Sequence, residues 1–283
     1  MLSSYSIERL LNAALSCGGD FAEVYIESAK SSSVGLLNGV VEGVTSGMDC
    51  GIGIRIMEGT KCIYVYANDL HDEDALIRMA KNASASLQSV PQNKTIVMKP
   101  LLAYTSNPIK IPPVDVNKSQ KVSILKEASQ TAKDYSDLIT QTSASYGDVE
   151  KHVWIANSLG DYCEDNRSRV RLSIQAIATQ GKIKQSGFWG PGAGRGFEFA
   201  QDYDLNEKAK AAAKTAVTMI SASPCPSGKM PVVIGNGFGG VIFHEACGHA
   251  LEATAVGIHA SVFDGKLGKQ IASKLVTAYD DAK

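Results

Sequence analysis

No run of this chain approaches the roughly 18–20 consecutive apolar residues that a membrane-spanning helix needs. Charge of one sign is also missing: 28 Lys and Arg stand against 29 Asp and Glu, a formal net charge of -1. No general basic surface therefore points to nucleic acid or to an anionic membrane. A secretory leader is not evident, because MLSSYSIERLLNAALSCGGD carries Glu8 inside an amphipathic pattern and reads as a helix. Cysteine is present six times (Cys17, Cys50, Cys62, Cys163, Cys225, Cys247) but without framework spacing. That excludes a disulfide scaffold and points to reduced thiols in a cytoplasmic protein. Histidine is scarce, five in 283 residues, yet His244 and His249 fall within one six-residue window.

What is present is the composition of an ordinary soluble globular protein, 44% hydrophobic and 20% charged. At 283 residues, two domains are expected rather than one. Ile7, Leu10, Leu11, Ala14 and Leu15 recur at helical spacing until Gly18-Gly19. Residues 21–27 alternate as a half-buried strand, and residues 33–44 predict two strands turning at Asn38-Gly39, a strong hairpin signal. A second pair, 51–56 and 62–66, turns through Glu58-Gly59, and a helix follows over about 72–89 with Asp72 and Asp74 in its first turn. Residues 90–114, rich in proline, read as a surface connection. The plan then repeats: a helix at about 116–136, strands around 139–146 and 150–156, and a turn at 157–160. A long alternating strand through Val170–Ala178, a glycine-rich loop at 187–196 anchored by Trp189 and expected to be mobile, and a helix at about 205–220 complete it. The expected class is α+β: an N-terminal domain (1–220) of antiparallel sheet flanked by helices, with internal duplication, then the start of a β-rich C-terminal domain (221–283). Ser221–Gly228, with two prolines and three serines, marks the boundary.

The densest chemistry lies at Met230–Glu252, where an apolar run reads as a buried strand and a glycine turn leads into a helical pattern carrying His244, Glu245 and His249. Two chemistries compete there. Gly235-Asn-Gly-Phe-Gly-Gly240 matches G-x-G-x-x-G, and Ser261–Phe263 with Asp264 imitates a second strand and its ribose-binding acid. That strand is very short, and the reading leaves His244 and Glu245 idle, so a tight strand-to-helix turn is preferred. The other chemistry is metal hydrolysis: two neutral imidazoles bind Zn²⁺, and an adjacent carboxylate takes a proton from water. The histidines are five apart, about 140° around a straight α-helix at 100° per residue. A π-bulge, with i→i+5 bonding, brings them onto one face, and Gly248 is expected to ease that widening through its backbone freedom. Glu252 falls on nearly the face of His249, as an acceptor for the imidazole or a solvated charge rather than a third ligand. Cys247 reads as a small buried residue, His259 and Asp264 as surface residues, and nothing recommends His71 or His152 as ligands.

HEACGHALEA, preceded by PVVIGNGFGGVIF and followed by ASVFDGKLGKQIAS, resembles the TldD branch of the TldD/PmbA metallopeptidase family, formerly labelled modulators of DNA gyrase. Asp20–Glu27 and Gly51–Ile56 resemble that family's N-terminal domain, so the likeness runs along essentially the whole chain. It implies His244 and His249 as zinc ligands and Glu245 as the catalytic general base. It also implies a zinc peptidase acting on unfolded or short peptides, as a homodimer or paired with a related subunit, with no nucleic-acid or membrane partner. The family's third ligand is a cysteine in a glycine-rich segment near the end of a longer C-terminal domain. No such segment occurs here, so the chain reads as C-terminally truncated and impaired in activity. The contrasting expectation is a non-catalytic assembly or peptide-binding subunit.

Overall fold

The Ser3 hydroxyl accepts the Ser6 N–H at 3.0 Å and caps α1 (Ser4–Ala14), satisfying a donor that the first helical turn leaves free. Gly18 and Gly19, at φ 124° and 105°, turn the chain into β1 (Phe21–Leu37). Asn38 and Gly39, both at positive φ (50° and 75°), make the expected tight hairpin into β2 (Val40–Glu58), which is followed by β3 (Lys61–Ala67). Asp72 accepts the Ala75 N–H at the start of α2 (Glu73–Ala85). Next in order are β4 (Lys99–Leu102), α3 (Lys118–Lys133), β5 (Ile139–Asn157), β6 (Asp161–Gln180), β7 (Ile183–Trp189), β8 (Gly192–Ala193), α4 (Glu198–Gln201) and α5 (Leu205–Ile220). The computed structural model describes residues 2–87, 90–91, 95–102 and 108–280, and its contacts separate two units, Met1–Ala222 and Ser223–Lys283.

In the first unit the strands form one sheet, ordered β3-β2-β1-β5-β6-β4, with β7 and β8 also paired to β6. Every pairing is antiparallel except β4 with β6, and helices flank the sheet, as the α+β expectation has it. The repeated plan is explicit in the registers. Helix, three-stranded meander and helix occur twice, and the β2–β3 turn pair Glu58/Lys61 has its counterpart in the β6–β7 pair Gln180/Ile183. The first strands of the two meanders, β1 and β5, pair with each other, Lys30 lying opposite Glu150 near the middle. Each meander alone leaves that strand as an open edge, and joining them removes both edges. Segments that read as separate short strands are therefore single strands of 17 to 20 residues.

Even-numbered positions of β1, β2 and β6 face the helices, and in β3 and β7 the odd-numbered ones do. Val24, Ile26, Ile54 and Ile56 pack under Leu10, Leu11, Leu76 and Ala80 of α1 and α2. Ile174, Ala176 and Ala178 pack under Ala128 and Ala132 of α3 and Ala209, Ala213 and Ala216 of α5. The alanine face of α5 allows an approach so close that a Cβ on Gly187 of β7 would lie 2.0 Å from Ala212 O and 2.9 Å from Ala216 N. These are backbone atoms and cannot rotate aside. Gly187→Ala is expected to lower unfolding free energy by at least about 1–3 kcal/mol, the usual range for overpacking. Gly35→Ala, where nothing lies within 4 Å, serves as the near-neutral control in urea titrations. Equal midpoints for the two variants would contradict the close packing of α5 on β7.

The structure corrects several expectations. Of the glycine-rich segment 187–196, Gly187–Trp189 belong to β7 and Gly192–Ala193 pair with β6, because the glycines admit close approach of neighbouring backbone. The helix expected to reach residue 89 ends at Ala85; residues 88–89 lie outside the described residues. Within 90–114, β4 adds a parallel pairing that short-range pattern could not signal. In the second unit the run Pro231–Ile234 is not a strand, and Val232 and Val233 are exposed. A strand needs a neighbour for its backbone groups, and no strand occurs among the described residues of Ser223–Lys283. This unit also buries no side chain among its described residues, as expected for a segment too short to enclose a core.

Candidate metal centre

Gly237, at φ +78°, opens a 3₁₀ turn (Gly237–Gly240) that leads into α6 (Val241–Phe243). The glycine run is thus a tight turn into a helix. Ser261–Asp264 is bend and turn, so no second strand completes a dinucleotide-binding unit, and that alternative falls away.

Directly after α6 the helix widens. His244–Gly248 is a π-turn in which the His249 N–H donates to the His244 carbonyl, the i→i+5 bond that five-residue spacing demands. The chain then tightens into a 3₁₀ turn, His249–Leu251, breaks at extended Glu252 (φ -57°, ψ 128°), and resumes as α7 (Ala253–Gly257). The widening brings the two imidazoles to a ring-centroid separation of 4.5 Å at an interplanar angle of 67°. One ligand atom from each of His244, Glu245 and His249 falls within 4.8 Å of the others. Gly248 acts differently from expectation. Its φ of -56° and ψ of -57° are open to any residue, but a Cβ there would lie 3.3 Å from His244 Nδ1. The glycine makes room for the His244 ring, which lies over it.

Two carboxylates flank His249. Glu252 Oε1 is 2.7 Å from its Nδ1, and Glu245 Oε2 is 3.8 Å from its Nε2. The hydrogen bond and charge of Glu252, with a smaller contribution from Glu245, hold the His249 imidazole above the usual histidine range. The side chains of Glu245, His249 and Glu252 are all more than half exposed to solvent. Cys247 is half-buried and outside the cluster. His259 pairs with Asp264 at 2.8 Å, also away from it. In the first unit His71 and His152 join no metal-ligating cluster among the described residues; His152 stacks on Trp154 at 3.8 Å.

The donor set fits a borderline-soft divalent cation: two neutral imidazoles and a carboxylate on one short turn, with His249 held by a second carboxylate. A meander-duplicated α+β unit is followed in this chain by an H-E-x-x-x-H π-turn that groups three possible metal-ligating side chains. Three successive domain models of one family match the chain: PmbA/TldA metallopeptidase domain 1 over residues 22–87, the central domain over 111–220, and the C-terminal domain over 227–283. The chain belongs to the PmbA/TldD metallopeptidase family. It is 31% identical over 274 residues to a metalloprotease TldD homolog of Haemophilus influenzae, covering 93% of this chain and 56% of that protein. It is 32% identical to the metalloprotease MJ0996 of Methanocaldococcus jannaschii, covering 100% of this chain and 61% of that protein. The chain thus spans a little over half the length of these relatives. Its fold is also that of TldE from Thermococcus kodakarensis, with a TM-score of 0.60 at 13% identity, covering 92% of this chain and 58% of that one.

Proposed function

We propose that this chain belongs to a zinc-dependent peptidase subunit of the TldD type, with His244 and His249 as metal ligands and Glu245 as general base. The observation that supports the reading is the π-turn, which brings one nitrogen each of His244 and His249 and a carboxylate oxygen of Glu245 within 4.8 Å of one another. Zinc held there would polarise a scissile carbonyl and acidify a water molecule. Glu245, beside both imidazoles and open to solvent, takes the proton of the attacking water and passes it to the departing amine nitrogen. The family resemblance supplies a cysteine as third ligand, from a glycine-rich segment that these 283 residues do not contain.

Unfolded or short peptides are the proposed substrates. β2 supports this: only Ile52–Glu58 pair with β3, so the outer edge of Val40–Gly51 carries no strand partner among the described residues. An extended peptide could be held on such an edge by backbone bonds that ignore its sequence. The names TldD and TldE among its relatives and structural neighbours support pairing with a related subunit or with a second copy. We divide the chain into an N-terminal domain to about residue 220 and a metal-bearing domain from about 221 onward. Its six cysteines are all unpaired and no helix of the described residues is long and apolar enough to cross a membrane, which favours a reducing, cytoplasmic setting.

Zinc content of the purified chain, measured by atomic emission beside His244→Ala, tests the site. The parent should retain zinc after dialysis and the variant should lose most of it at unchanged circular dichroism. Equal metal in both would remove the π-turn as the binding site.

A further inference from the structure

We infer that Glu252 is the positioning residue of this centre: its carboxylate accepts the His249 Nδ1–H and leaves the Nε2 lone pair facing His244 and Glu245. The inference rests on the metal-site reading above and adds a residue to it. Three observations converge. Glu252 Oε1 lies 2.7 Å from His249 Nδ1, while Nε2 is the nitrogen nearest Glu245, at 3.8 Å from Oε2. The ring is thus turned so that one nitrogen meets each carboxylate. In a neutral imidazole one nitrogen donates and the other accepts, so an acceptor at Nδ1 fixes which lone pair a metal would receive.

The backbone is shaped to put Glu252 there. The helix stops at Leu251 and Glu252 takes an extended conformation before α7 begins. Its carbonyl accepts the Val256 N–H at 3.0 Å, which ties the residue to the next helix. The preceding turn is braced from the far side: the Ser261 hydroxyl donates to the Ala250 carbonyl and accepts the Phe263 N–H at 3.0 Å. Glu252 therefore sits at a fixed break between two turns, and its side chain returns over the 3₁₀ turn to His249. Among the described residues no carboxylate is hydrogen-bonded to His244; its ring lies over Gly248, where a Cβ would stand 3.3 Å from Nδ1. The two ligands are held by different means, one by a hydrogen bond and one by packing.

The test compares wild type, Glu252→Ala and Glu252→Gln of the whole chain. Two readouts are used: ¹⁵N shifts of the His249 ring in metal-free protein at pH 8.5, and competitive titration of zinc against a chromophoric chelator. The wild type should show the Nδ1–H tautomer. Glu252→Ala should move it toward Nε2–H and weaken zinc about 10- to 100-fold, the usual cost of losing such a partner. Glu252→Gln, whose amide oxygen also accepts, should keep the tautomer and most of the affinity. An Nε2–H tautomer in the wild type, or an Ala variant unchanged in both readouts, overturns the assignment. Equal loss of zinc in the Gln and Ala variants overturns it too, since it would make the carboxylate a direct ligand. Should the wild type bind no zinc yet show an Nδ1–H tautomer that Glu252→Ala abolishes, the metal reading fails and the Glu252–His249 assignment stands.

Discussion

Glu245→Gln, in the protein carried to the full length of its relatives, is expected to lower peptide hydrolysis by about 10²–10⁴-fold, the range that loss of a positioned general base costs. Zinc content should be unchanged. The amide preserves size and hydrogen bonding but cannot take a proton from water. Glu245 does not brace the backbone: its side chain is 64% exposed. A folded, zinc-loaded and inactive variant is therefore the expected outcome, read from initial rates on an unfolded peptide together with metal analysis. Undiminished turnover would show that another group accepts the proton. Loss of zinc along with activity would place the carboxylate among the ligands, which its 3.8 Å approach to His249 Nε2 also makes worth measuring.

The second large effect is on stability and lies far from the histidines in sequence. Lys121 of α3 and Asp148 of β5 form an ion pair at 2.5 Å, with each side chain only 3% exposed. The ammonium also donates to Ser32 Oγ at 3.0 Å and lies 5.0 Å from the Tyr146 ring centroid. Ser32 in turn donates to Asp148 Oδ2 at 2.8 Å. Removing one member of such a pair leaves the other charge buried and unmatched, at a typical cost of about 3–5 kcal/mol. Asp148→Ala should lose about that much in chemical denaturation. The double variant Lys121→Met/Asp148→Leu should lose much less than the single, because no buried charge remains. If the single variant costs under about 1 kcal/mol, water reaches the pair and the seating of α3 on the sheet is looser than described.

Much of this molecule could be read from local pattern. The period of Ile7–Leu15 gave α1, Asn38-Gly39 gave the β1–β2 turn, and alternation from Val170 to Ala178 gave part of β6, because each signal involves residues a few positions apart. The five-residue spacing of His244 and His249 went further. Two imidazoles can share one face only if the helix widens, and the π-turn at His244–Gly248 does so. The sequence also placed Glu252 near His249 without saying whether its carboxylate would reach the ring.

Tertiary structure alone decided the rest. The join of the two meanders through β1 and β5 pairs residues more than a hundred positions apart, and nothing local records which edge a strand will meet. The parallel addition of β4 to β6 and the burial of Lys121 against Asp148 depend on the same long-range closure. In sequence Gly187 reads as a loop glycine and Gly248 as one that eases a helix widening through its own backbone freedom. In the folded chain one is set by a helix backbone 2.0 Å from where its Cβ would stand, the other by a histidine ring 3.3 Å away. The apolar run Pro231–Ile234 is the converse case. Its composition favours a strand, but strand geometry is stabilised by hydrogen bonds to a neighbour, and its own unit offers none among the described residues. Spacing along the chain determined that His244, Glu245 and His249 could meet. The turn geometry at Gly248 and Glu252 decided how the imidazoles of His244 and His249 face.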